Sequence, residues 1–292
     1  MQALGRETVR TYRYVRISIV AAILMLATAL LLQIVEDDWQ IAHSISAYYY
    51  SSVQPMFVGV LVASAFLLVA VRGRPGWEEA LLNIAAMLLP LVAFVPTPIP
   101  GGCVDGSRCV PAEVLPAVEL SISTLLIVGV PGVVGALAVW LGRVSVDRSA
   151  HLSITIAVLV WVVVLCWYGW SETWIGRESF VAYAHYVAAV LVFCFMVAVA
   201  FINARRSQRS VSIAGSHVPY RLLYTAIALA MALVIVGALG YGVANDWPTD
   251  TTLLFWVEAA LLALFALFWV VQTVEFWNLG LPEEACQAPG AD

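Results

Sequence analysis

The sequence predicts an all-α, polytopic integral membrane bundle of eight transmembrane helices with cytoplasmic N- and C-termini. Three observations carry this. Of the 292 residues, 62% are hydrophobic and 11% charged, with mean hydropathy +0.92. A soluble domain lies nearer half apolar and a quarter charged. The apolar residues gather into runs long enough to cross a ~30 Å hydrocarbon core, which needs about 20 residues of helix. The 14 basic residues, all arginine, fall almost entirely on one side of those runs. This composition excludes an ordinary cytosolic enzyme, a disordered chain and a nucleic-acid binder. Five cysteines are too few for a small disulfide scaffold. The lack of lysine points to a GC-rich bacterial genome, and so to the bacterial cytoplasmic membrane.

The spans are expected near 17–35, 54–72, 80–96, 115–141, 152–170, 180–202, 222–243 and 252–274, forming one transmembrane bundle over 1–280. The first has a basic flank but no small-residue cleavage pattern after Val35, so it reads as an uncleaved signal-anchor. The third contains Pro90 and the fourth contains Gly129-Val130-Pro131-Gly132. Both stay helical if neighbouring groups satisfy the freed carbonyls, with a kink expected in the fourth. No alternating apolar–polar segments suggest a β-barrel. Residues 281–292 read as a mobile cytoplasmic tail.

With the N-terminus inside, Arg6, Arg10, Arg13, Arg16, Arg72, Arg74, Arg143, Arg148, Arg205, Arg206, Arg209 and Arg221 are cytoplasmic, and Arg108 and Arg177 lie outside. That is the asymmetry of the positive-inside rule. The formal charge of −5 resolves into an acidic outer face over a basic inner one. In the outer loop 97–114, Cys103 and Cys109 flank a five-residue spacer and face an oxidising compartment, so a disulfide is expected between them. Cys166 and Cys194 read as apolar packing residues.

Ionisable groups inside a span cost several kcal/mol when unpaired and mark functional positions. Glu119, His185 and Glu258 all fall in the outer half of spans four, six and eight. Ser123 lies on the Glu119 face. The functional reading is an outward-facing acidic pocket; the competing one is interfacial carboxylates and a hydrogen-bonded core histidine. No metal-ligand spacing is present, and no Gly-rich nucleotide loop, haem pair or Fe–S spacing implies a cofactor. The similarity between Ala117-Val118-Glu119-Leu120 and Trp256-Val257-Glu258-Ala259 allows a four-plus-four repeat. The remainder of the two halves aligns poorly, which favours chance similarity.

The outer loop 36–53 is the most distinctive segment. His43, Ser44, Tyr48, Tyr49 and Tyr50 are candidates for contact with lipid head groups or a partner. They equally suit an interfacial anchor. The run Ser44-Ile45-Ser46-Ala47-Tyr48-Tyr49-Tyr50, followed by Pro55-Met56-Phe57-Val58-Gly59-Val60, resembles a signature of uncharacterised bacterial multi-pass membrane proteins. Glu78-Glu79, Asn83 and Pro96-Thr97-Pro98 continue the likeness. That group is distantly similar to membrane proteins of the Frag1/DRAM type. The resemblance covers residues 44–98, about a fifth of the chain. It implies a multi-pass membrane protein and no established activity, so no functional residue carries over. The paired histidines of ceramidase- and adiponectin-receptor-like hydrolases, the rhomboid Gly-x-Ser-Gly and a retinal lysine are all missing.

Three functions compete. In the first, the bundle binds or moves a small or amphipathic molecule, such as a lipid, through the pocket. In the second it is an assembly or sensor subunit that meets a membrane-protein partner through loop 36–53. In the third it is an intramembrane lipid hydrolase using His185 with a carboxylate. The expected surroundings are membrane lipids, without nucleic acid.

Overall fold

The computed structural model of the chain describes residues 2–71, 73, 76–103, 108–146, 148–169, 177–213, 216–245 and 251–277. The tail 281–292 lies outside the described residues. The helices are α1 (Gln2–Glu36), α2 (Gln54–Ala70), α3 (Trp77–Phe94), α4 (Leu115–Trp140), α5 (Arg148–Gly169), α6 (Arg177–Arg206), α7 (Tyr220–Ala244) and α8 (Leu253–Glu275). A 3-10 turn, Ser46–Tyr50, precedes α2, and a hairpin of β1 (Ser210–Ile213) and β2 (Ser216–Pro219) precedes α7. Each expected apolar run carries one helix.

Seven of these helices are long and apolar enough to cross a membrane; α2, with 17 residues, is shorter. Pro90 and Pro131 both lie inside continuous helices. α1 begins well before the expected residue 17, because the residues that carry its basic flank remain helical beyond the apolar stretch. The hairpin departs from the expected all-α chain. Ser210-Val211-Ser212-Ile213 and Ser216-His217-Val218-Pro219 pair antiparallel, with Val211 opposite Val218.

Helices α1, α2, α3, α6, α7 and α8 close into a ring through successive neighbour contacts, and α4 and α5 pack outside it against α3. α3 is accordingly the most enclosed helix, with Ala80, Ala85 and Ala93 having no exposed surface. α4 and α5 leave Leu120, Ile127, Val128, Leu159 and Val163 more than half exposed, as apolar surface facing lipid would be. The two outer helices touch closely at Gly129. A Cβ there would collide with the Trp161 indole, whose N–H donates to Leu126 O at 3.1 Å. Gly129→Ala is therefore expected to destabilise by about 1–3 kcal/mol through overpacking. Gly132, with open space around it, should tolerate alanine with a small gain in helix propensity. Thermal melts of the two variants in detergent check this; equal melting temperatures would contradict it.

The ends of the bundle differ. At one end, called here the turn end, α1 closes with Asp38 and Trp39 in the left-handed region and Trp39 N–H bonded back to Ile34 O at 2.8 Å. This reverses the chain into the 3-10 turn. The loop after α3 joins the same end, where Cys103 and Cys109 form a disulfide with Cα atoms 5.6 Å apart. An isolated antiparallel bridge between Ile99 and Cys109 supports it. Gly102 is needed there because a Cβ would strike the Cys109 carbonyl. The opposite, hairpin end carries the α6–α7 connection. There Arg13 donates to Trp277 O and stacks 4.3 Å from its ring centroid, joining the start of α1 to the end of α8.

Candidate functional site at the turn end

The segment before α2 folds back over the ring. Ser44 has no exposed surface, and its Oγ accepts the Ala47 N–H at 3.0 Å, closing the turn. Tyr48 is buried, packs 6.2 Å from Phe255 and accepts the Ala42 N–H. Phe255 N–H donates to His43 O at 3.0 Å, tying the segment to α8. Tyr49 is buried, edge-on to Tyr50 and Phe57. The Tyr50 hydroxyl donates to Thr97 O at 2.9 Å. Burial raises its pKa above the ordinary tyrosine value, with Tyr49 and Tyr186 adding to the rise, so it stays a donor. The tyrosine triplet thus forms the internal cover of the ring.

Ser46 is the hub. Its hydroxyl lies 2.8 Å from His185 Nε2 on α6 and 3.2 Å from Glu258 Oε1 on α8. The other carboxyl oxygen, Oε2, accepts the backbone N–H of Ile45 at 2.5 Å and of Ser46 at 3.3 Å. His185 Nδ1 lies 2.7 Å from Val95 O at the end of α3. A carbonyl only accepts, so Nδ1 carries a proton and donates it there. One buried serine thus joins the turn, α6 and α8, and His185 adds α3. The chain supplies these partners because the 3-10 turn presents two successive N–H groups without intrahelical acceptors, and Glu258 lies near the start of α8, directly beneath them.

Beside this trio, Arg108 of the disulfide loop donates to Pro98 O at 2.9 Å and to the Tyr186 hydroxyl at 3.2 Å. His43 Nε2 is buried without a hydrogen-bond partner among the described residues. Burial lowers the His43 pKa from its ordinary value, with Arg108 adding to the effect. The folded state therefore favours neutral His43, and this contribution is fully present above about pH 6.5 and lost as pH falls through the lowered value. The melting temperature is expected to drop between about pH 7 and about pH 5, and His43→Leu should remove part of that drop. An unchanged pH profile in the variant would refute the assignment.

The trio forms the polar corner of a cavity of about 80 Å³ inside the ring. Its walls are otherwise almost wholly apolar, including Leu26, Phe57, Val60, Val192, Leu262 and Phe265. Glu258 keeps part of its surface open while Ser46 and His185 are buried. Two of the four expected pocket residues, His185 and Glu258, thus share one site. Glu119 and Ser123 do not line the cavity. They sit on α4, where Tyr168 of α5 lies 3.4 Å from Ser123 Oγ and 3.5 Å from Glu119 O. They share a depth with the site but lie outside the ring. Among the described residues, no group of three or more His, Cys, Asp or Glu is placed to hold a metal ion.

A second polar cluster occupies the hairpin end and was missed as a site from sequence. Asn203 donates to Glu78 Oε1 at 3.1 Å. Ser207 and Tyr224 donate to the two oxygens of Glu275, each at 2.6 Å. Arg16, 1% exposed, lies within Coulombic reach of Glu78 and Glu275. At 1.5 Å per residue, Glu258 and Glu275 are about 25 Å apart along α8. The ring is therefore pinned by polar contacts at both ends and apolar between them.

Comparison with protein-family models, with curated proteins and with solved structures found no match for this chain.

Proposed function

We propose that this is an eight-span membrane protein of the bacterial cytoplasmic membrane, with both termini inside, whose turn-end cavity binds a small or amphipathic molecule. Helix α2 supports the eighth span, since 17 residues reach the lower limit for crossing. The split of the arginines supports an outward-facing turn end, with the disulfide in an oxidising compartment.

The observation that carries the binding reading is a cavity of about 80 Å³ with apolar walls and one polar corner formed by Ser46, His185 and Glu258. Few polar groups set in an apolar pocket are the usual form of a small-ligand site. That volume is about half of the ~150 Å³ that holds benzene, so it takes a polar head and the first few carbons of an aliphatic chain, with the rest of the chain outside it. The hydrolase reading has weaker support despite the short Ser46–His185 contact. Glu258 already occupies the Ile45 and Ser46 N–H groups that would otherwise stabilise an oxyanion. The partner-surface reading also has weaker support, since Tyr48 and Tyr49 are buried.

The test is uptake of isotope-labelled n-octanol by the protein in nanodiscs, relative to empty nanodiscs. Val60→Trp places an indole in the cavity and should lower specific uptake by at least about tenfold. Near-UV circular dichroism checks that the variant is folded. Equal uptake by a folded Val60→Trp protein would show that the cavity is not the site.

A further inference from the structure

The hydrogen bonds of the polar corner restrict what kind of head group can enter it. His185 Nδ1–H is committed to Val95 O, 2.7 Å away. The Ile45 and Ser46 N–H groups are committed to Glu258 Oε2. Two arrangements of the remaining protons satisfy both contacts of Ser46. In one, a protonated Glu258 donates to Ser46 Oγ, whose hydroxyl donates to His185 Nε2. In the other, a protonated Nε2 donates to Ser46 Oγ, whose hydroxyl donates to an ionised Glu258. The two hold the same number of protons and differ only in which direction the chain runs. Each uses every donor and leaves lone pairs on Glu258 Oε1 and Ser46 Oγ. Ser64, the remaining hydroxyl in the cavity wall, stands ten residues beyond the start of α2 at Gln54, about 15 Å further along the helix, away from the polar corner.

We infer that the cavity selects amphiphiles whose head donates a hydrogen bond, meaning an aliphatic alcohol or amine, and rejects carboxylates and phosphates. An anionic head brings acceptors to a corner that already has a surplus of them, and would lie against Glu258 with no N–H or O–H to receive it. A hydroxyl or ammonium meets the open lone pairs directly, while its chain lies along Val60, Leu262 and Phe265. This rests on the binding reading above and names the ligand class of that site.

The experiment compares n-octanol, n-octylamine and octanoate by saturation-transfer NMR on the protein in nanodiscs, with empty nanodiscs as reference. Octanol and octylamine should bind and octanoate should be weaker by at least about tenfold, the effect of one unpaired buried polar group. Glu258→Gln supplies an amide whose oxygen can keep the backbone N–H bonds and whose second N–H faces the cavity. It should narrow or reverse the preference, raising octanoate relative to octanol by about tenfold. Octanoate binding as tightly as octanol to the wild type, or an unchanged preference in Glu258→Gln, would overturn the selectivity while leaving the pocket standing. If none of the three probes binds, the binding reading itself fails, and the selectivity with it.

Discussion

Glu258→Ala is expected to destabilise the protein by about 3–5 kcal/mol, whereas Glu258→Gln should cost about 1 kcal/mol. Alanine leaves the buried N–H groups of Ile45 and Ser46 without an acceptor and removes one partner of the Ser46 hydroxyl. Unmade hydrogen bonds at buried groups cost about 1–3 kcal/mol each, and the apolar surroundings offer no replacement. Glutamine retains a carbonyl oxygen for the two N–H groups and an amide that can donate to Ser46 Oγ. Equilibrium unfolding in mixed detergent–SDS micelles measures both. Similar losses for the two variants would mean that the carboxyl group acts only as charge or bulk, and that the turn is held by other contacts.

The second large effect lies at the hairpin end. Arg16→Met should destabilise by about 3–5 kcal/mol, because it removes a buried cation within Coulombic reach of buried Glu78 and Glu275. Arg16 is nearly inaccessible, with its guanidinium 5.4 Å from the Phe276 ring centroid, so solvent screens little of the interaction. Adding Glu78→Gln to Arg16→Met should recover part of the loss, since removing a charge and its counter-charge together is far less costly than removing one. The double-mutant cycle, measured in the same micelles, should show a coupling above about 1 kcal/mol. Strict additivity would indicate that Arg16 serves only as a packed side chain.

Much of the architecture was legible because hydrophobic runs of bilayer length have few alternatives. Each of the eight runs carries a helix, and even Pro90 and Pro131 leave their helices continuous. The β1–β2 hairpin was less visible. Only β1, Ser210-Val211-Ser212-Ile213, alternates polar with β-branched residues, and its four residues are too few to stand out beside strongly apolar neighbours.

The site divides along a physical line. Depth along a helix follows from residue spacing, so His185 and Glu258 were placed at one level from sequence. Which way a helix faces, and which helices are neighbours, depends on packing that no local pattern records. Glu119 and Ser123 share that level but ride on α4, outside the ring. Ser46 was legible only as part of a tyrosine-rich loop, because its partners are over 130 residues away in sequence. Arg16, Glu78 and Glu275 lie just outside the expected span bounds at 17, 80 and 274, where a charge ordinarily faces solvent. They are buried because their side chains meet inside the hairpin end of the ring, Glu78 with Asn203 of α6 and Glu275 with Ser207 and with Tyr224 of α7. Of the tyrosine triplet, a candidate for external contact, Tyr48 and Tyr49 are buried against Phe255 and Phe57, while Tyr50 is half-buried.

Photo-cross-linking with an aliphatic alcohol that carries a diazirine near its chain end, followed by mapping of the adducts, tests directly whether the cavity holds an amphiphile. Adducts are expected on the cavity wall, at Leu26, at Phe57, Val60, Leu61 and Ser64, and at Leu262 and Phe265, suppressed by excess octanol and by Val60→Trp. Adducts confined to the outward faces of α4 and α5, such as Leu120 and Ile127, and insensitive to octanol would contradict it.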